Sequence, residues 1–167
     1  MRLGYGSHGH TLIELCLGVT LMAVLAGLAV PGFRASLRAA AVRSATLELA
    51  AGLQHARSAS ILEARTVLFC LSDSTGKCLA GMDSSIAWSA WLEVDGRSVA
   101  LGGGALPRGI TLHATRPRLN FWPDARASST GTLTICDAQG IARPRAIVLS
   151  QVGRIRFVDA TDAACRA

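Results

Sequence analysis

The hydrophobic pattern of this chain changes character twice. Residues 15–33 carry no charged side chain. That run is close to the roughly 20 residues a helix needs to cross about 30 Å of hydrocarbon. Residues 34–64 contain no Pro, a single Gly and abundant Ala, Leu, Arg and Glu, all but the Gly good helix formers. Within them Leu49, Leu53, Ala56 and Ser60 recur at i, i+4, i+7 and i+11, which predicts one buried face. Arg38, Arg43 and Arg57 are then expected in solvent. The stripe is too short and Ala-rich for sustained heptads, so a coiled-coil stalk is disfavoured.

After Arg65 the period shortens to two, and turn residues punctuate it. Segments 66–71, 86–94, 98–101, 110–115, 119–122, 132–136, 146–149 and 154–158 read as short strands. Asp95-Gly96 marks a hairpin, and Gly102-Gly103-Gly104 reads as a loop. With no helical pattern between them, these strands predict an antiparallel meander or small sandwich. The expected class is α+β, one long N-terminal helix packed on a β-rich head. Its divisions are a leader at 1–9, a membrane helix at 10–33, an amphipathic continuation at 34–64 and the head at 65–167. No second window approaches membrane length, so a single span is expected.

One carboxylate interrupts the entrance to the apolar run. Glu14 follows Gly9-His10-Thr11-Leu12-Ile13, and a lone acid there is costly enough to imply a partner. A secretory signal peptide would have a shorter apolar core and a small-residue cleavage site behind it. Here the leader MRLGYGSHG ends in Gly before the core. Gly-His-Thr-Leu-Ile-Glu resembles the processing site of type IV prepilins and type II secretion pseudopilins, with His10 where Phe is usual. The resemblance implies that an inner-membrane prepilin peptidase cuts after Gly9 and methylates the new terminus, His10. It implies that Glu14, fifth in the mature chain, pairs with the amine of a neighbouring pilin subunit during filament assembly. Pro31 falls where pilins commonly carry a helix-loosening proline.

Charge and cysteines disagree about orientation. Arg2 precedes the span, whereas Arg34, Arg38 and Arg43 follow it, which by the positive-inside rule alone would leave the head in the cytoplasm. Cys16 lies in the span, and Cys70, Cys78, Cys136 and Cys165 lie in the head. Four cysteines allow three connectivities; the sequence-near pairs, Cys70 with Cys78 and Cys136 with Cys165, are the expectation. Each would stabilise by roughly 2.5–3.5 kcal/mol in the chain-entropy model, and such bridges persist in an oxidising compartment. The resemblance agrees, so the expected location is the bacterial inner membrane with the head in the periplasm.

The head also carries a resemblance of its own. Cys70 and Cys78 after a strand, Trp88 and Trp91, Leu119-Asn120-Phe121, Gly131 to Cys136, and Ile147 to Ser150 leading to Gly153-Arg154-Ile155-Arg156 are similar to the GspH/FimT family. That family implies one of two roles. One is a minor type IV pilin, some members of which bind DNA during natural transformation through the Gly-Arg-x-Arg motif. The other is the minor pseudopilin of type II protein secretion.

The arginines bear on that choice. Sixteen of seventeen basic residues are Arg, and from Arg108 onward nine Arg face four Asp. The guanidinium fork suits phosphate. Arg154 and Arg156, two apart on a strand, would share a face about 6.5–7 Å apart, with Ile155 and Phe157 on the buried side. Arg143 and Arg145 repeat the spacing on the preceding strand. Contacts of this kind would take the DNA phosphate backbone without reading sequence. Phe121 and Trp122 are expected in the core rather than stacked on bases. Isolated histidines and the lack of a C-x-x-C pair give no metal site. No catalytic constellation stands out, Asp124 and Asp137 reading as single turn acids, and no cofactor is expected.

Overall fold

The structure, a computed structural model, describes residues 11–81, 85–124 and 128–165, with the side chains of 28–31 excepted. One helix, α1, covers Leu12–Leu62 and contributes to two compact units, Met1–Ser36 and Leu37–Ala167. In the first unit the helical assignment continues through Pro31. This part of α1 is, among the described residues, the one stretch of helix long and apolar enough to cross a membrane. Its exposed Leu12, Ile13, Leu15, Leu17, Leu21 and Met22 suit a hydrocarbon solvent. The Thr20 hydroxyl donates to Leu17 O at 2.9 Å, which keeps that polar group satisfied without water.

Among the described residues of the second unit, eight strands form two antiparallel sheets. They are β1 (Val67–Ser72), β2 (Ala87–Val94), β3 (Arg97–Ala105), β4 (Ile110–Ala114), β5 (Arg118–Phe121), β6 (Gly131–Asp137), β7 (Arg145–Leu149) and β8 (Ile155–Asp159). The first sheet has the order β3-β2-β1-β5 and the second β4-β6-β7-β8. Ser85 stitches them together: its N–H donates to Leu112 O at 2.9 Å, and its carbonyl accepts from the Leu112 N–H at 2.8 Å. A second bridge joins Phe121 and Ser128.

The predicted helical stripe is the buried one. Leu49, Leu53, Ala56 and Ser60 are all fully buried, joined by Val42 and Ala45 against Phe69, Phe121, Ile135 and Ile147 from the two sheets. The small residues let sheet side chains approach the helix axis. At Gly52 an added Cβ would stand 2.8 Å from Trp88 Cζ2, and Trp88 stacks in turn on Phe69 with ring centroids 5.0 Å apart.

Three expectations are corrected here. Gly102-Gly103-Gly104 is not a loop: all three lie in β3, paired with Ala90, Ser89 and Trp88. A Cβ at Gly103 would meet Trp88 O at 2.8 Å, and one at Gly104 would meet Trp88 Nε1 at 2.9 Å, so at these two positions glycine lets the strand close on β2. Arg38 and Arg57 are half-buried rather than solvated. Arg38 donates to Arg108 O at 3.0 Å and lies 3.9 Å from Asp137, while Arg57 donates to Val152 O at 3.4 Å. Trp122, finally, is 40% exposed, whereas its neighbour Phe121 is buried.

Two disulfides close the head. Cys70 is bonded to Cys78 and Cys136 to Cys165, the latter at the end of a 3-10 turn over Asp162–Cys165. The loop inside the first bridge is organised by Asp73, whose carboxylate accepts from the Thr75 amide at 2.8 Å, the Thr75 hydroxyl at 2.6 Å and the Lys77 amide at 3.0 Å. Cys16 is a free thiol on α1.

Candidate functional site

Two places carry the residues singled out by sequence. At the helix entrance, Gly9 and His10 lie outside the described residues. Thr11 immediately precedes α1, and its hydroxyl accepts from the Glu14 amide at 3.4 Å. Thr11 is thus the N-cap and Glu14 the third helical residue, the Ser/Thr-x-x-Glu arrangement that satisfies orphan amides at a helix start. An acid there also faces the positive end of the helix dipole. Glu14 is exposed, beside an open notch that Leu15, Gly18, Val19 and Met22 share with it.

The second place is the β7–β8 hairpin. The Gly153 amide donates to Ser150 O at 2.9 Å, and the Ser150 amide to Arg154 O at 3.0 Å. Gly153 itself has φ +76°. This is a three-residue loop closed by a left-handed glycine, a conformation that side chains resist. The Arg154 amide donates to the Ser150 hydroxyl at 3.1 Å. Behind the turn, the Ser128 amide donates to Gln151 O at 2.8 Å, and the Ser128 hydroxyl to Ser150 O at 2.9 Å.

Arg154 stands one residue before β8 and Arg156 within it, and both are exposed. Arg156 pairs with Val148 and Arg154 continues the ladder opposite Ser150, so alternation puts both on one face of the sheet. Arg145 does not join them. It pairs with Asp159, in register with the Ile147–Phe157 pair, and therefore lies on the opposite face. Arg143 is exposed in the connection before β7 rather than on that strand. Arg145 is thus separated from the Arg154–Arg156 pair, because a shift of one position along a strand reverses the face.

Phe157 corrects a further expectation. It is 53% exposed, whereas Ile155 packs against the core. The register places Ile155 beside buried Leu149 next to the turn, where Arg57 brings α1 close. Phe157 is farther along a strand that, among the described residues, has no neighbour on its outer side. Sequence alternation finds the face but not the cover.

Other chemistry is sparse. Among the described residues no three His, Cys, Asp or Glu side chains are grouped to hold a metal. A concavity of about 470 Å³ above β2 and β3 is lined by Trp91, Ser89, the β3 glycines and the Asp73 loop, and among the described residues Asp73 is its one ionisable group. The Thr75 hydroxyl, with the Thr75 and Lys77 amides and the Lys77 charge, holds that carboxyl below its usual range against a smaller desolvation effect.

Comparison with known proteins places this architecture. The type II transport protein GspH family matches residues 45–153, a span from the buried half of α1 to the glycine of the hairpin turn. The chain belongs to the GspH family. Solved structures similar to this chain include the type IV minor pilin FimU of Pseudomonas aeruginosa, 22% identical over 70% of this chain and 87% of that one, with TM-score 0.53. The minor pseudopilin EpsH of the Vibrio cholerae type 2 secretion system is 11% identical over 71% and 96%, with TM-score 0.56. Escherichia coli GspH is 16% identical over 74% and 91%, with TM-score 0.55. At these identities the likeness is one of fold. Curated protein sequences give no match.

Proposed function

We propose that this chain is a minor pilin-like subunit of a type IV filament system whose periplasmic head binds DNA by its phosphate backbone during uptake. Its membership of the GspH family makes it a pilin or pseudopilin subunit. In this reading a prepilin peptidase removes residues 1–9, α1 holds the mature chain in the inner membrane until assembly, and Glu14 engages the terminal amine of a neighbouring subunit. The two disulfides support an oxidising location for the head. The observation that carries the DNA reading is the exposed Arg154–Arg156 pair on one face of a hairpin held from behind. Residues two apart on a strand are spaced about 6.5–7 Å along it, close to the separation of successive phosphates on one DNA strand.

The full chain in neutral-detergent micelles should retard duplex DNA on a gel, whatever its sequence. Affinity should fall steeply with salt, because phosphate neutralisation releases counterions. Replacing both residues by Gln should weaken binding without changing the melting temperature, since each side chain is in solvent. A second reading, minor pseudopilin of type II secretion, draws support from the family match itself. Failure to bind DNA at low salt, with normal transformation and impaired secretion in a deletion strain, would establish that second reading instead.

A further inference from the structure

We propose that Arg57, on the helix, is a positioning residue for the Arg154–Arg156 pair; the inference rests on the DNA-binding reading of that pair. Arg57 lies 97 positions before Arg154 (154 − 57), yet it meets the turn that presents it. Its Nη2 donates to Val152 O at 3.4 Å. Its Nε and Cζ stand 2.9 and 3.1 Å from where a Cβ on residue 153 would be. The guanidinium therefore occupies the space that glycine leaves. Gly153 serves twice: it adopts the left-handed conformation the turn needs, and it opens the seat for Arg57.

The geometry does more than fasten a loop. The turn carbonyls of Ser150 and Gln151 are held by Ser128, and that of Val152 by Arg57. Each successive turn residue is thus fixed from outside the hairpin, up to the glycine before Arg154. β8 is only five residues long and has one neighbour, so its own ladder constrains Arg154 weakly. A side chain that must meet a phosphate benefits from being fixed beforehand, because ordering it at the moment of binding costs affinity. The same contact explains why Arg57 interrupts an otherwise small and apolar face, between Ala56 and Ser60.

The test is a double-mutant cycle on the full chain in detergent micelles, with duplex DNA as probe. R57Q alone should weaken binding about fivefold, a coupling of ordinary size for groups that act together. In the R154Q/R156Q background the same change should do nothing, and the salt slope should not move further. Amide hydrogen exchange at Gly153 and Arg154 should speed up in R57Q while the melting temperature of the head stays cooperative. If R57Q unfolds the head, R57K replaces it and is held to the same criteria. Unchanged affinity and exchange in the Arg57 variant would overturn the inference. So would a loss that persists in the R154Q/R156Q background with about 0.9 off the salt slope, which would make Arg57 a direct phosphate contact. If the unmutated chain ignores DNA, or R154Q/R156Q binds as well as it does, the DNA reading fails instead.

Discussion

At the scale of single residues, this head depends on where side chains are missing. Gly52 sits mid-helix, where Ala would ordinarily be worth about 1 kcal/mol more. Trp88 removes that option, since its ring lies 2.8 Å from the added methyl and is backed by Phe69. We expect Gly52→Ala to lower stability despite the better propensity, by about 1–3 kcal/mol of overpacking offset by that gain. A chemical denaturation midpoint equal to or above that of the unmutated protein would refute it. Asp73 offers a second residue-level test. Its carboxyl is held low in the folded state, chiefly by the Thr75 hydroxyl, so its contribution is present above the unfolded carboxylate value. That contribution disappears as pH falls through the lowered folded value. Thr75→Val should raise the Asp73 titration midpoint toward the ordinary range in a carboxyl-carbon NMR titration; no movement would show that another group sets it.

At the scale of elements, the helix and most strands were legible because they bury one face over several repeats, whereas β3 and β8, largely exposed, were marked by alternation and turn residues alone. Leu49, Leu53, Ala56 and Ser60 declare a helix face without help from context. The failures share a cause: they depend on what lies across from the residue. Glycine triplets usually mark loops, and only the close approach of Trp88, by its carbonyl at Gly103 and its indole at Gly104, accounts for glycines within a strand. Arg38 and Arg57 look like solvated helix arginines until the carbonyls of Arg108 and Val152 come within reach. Phe157 has the alternation of a core residue but is more than half exposed on an edge strand. The hairpin motif itself was readable as arginines two apart, whereas Arg145 was separated from them by register alone. Gly153→Ala should therefore harm the element more than its size suggests, through both φ +76° and the clash with Arg57. We expect a lower melting temperature and weaker DNA retention together, checked by calorimetry and gel shift; a loss of neither would mean the turn tolerates rearrangement. At the other end of α1, Thr11 and Glu14 combine a helix cap with the proposed assembly carboxylate. Glu14→Ala should leave the chain in the membrane fraction but absent from sheared filaments, and its recovery in filaments would remove Glu14 from assembly.

At the scale of the whole molecule, processing and topology are the proposals to check first. Co-expression with a prepilin peptidase should shorten the protein by residues 1–9, read by intact mass of the membrane fraction. An unshortened chain would mean Gly9 is not a cleavage residue. Non-reducing digests should place Cys70 and Cys136 in different bridged peptides, and four free head thiols in fresh membranes would contradict a periplasmic head. The Cys136–Cys165 bond also has a mechanical meaning. It spans 29 positions and encloses β7, β8 and the arginine hairpin in a covalent ring. In the proposed DNA-holding role the hairpin is loaded in tension, and β8 is a five-residue strand at the edge of its sheet. With the ring closed, stretching the chain from its two ends cannot draw out the enclosed segment, a reserve of roughly 100 Å when fully extended. Reduction would release that length, so the redox state of one bond decides whether the hairpin yields under load or transmits it to the sheet behind.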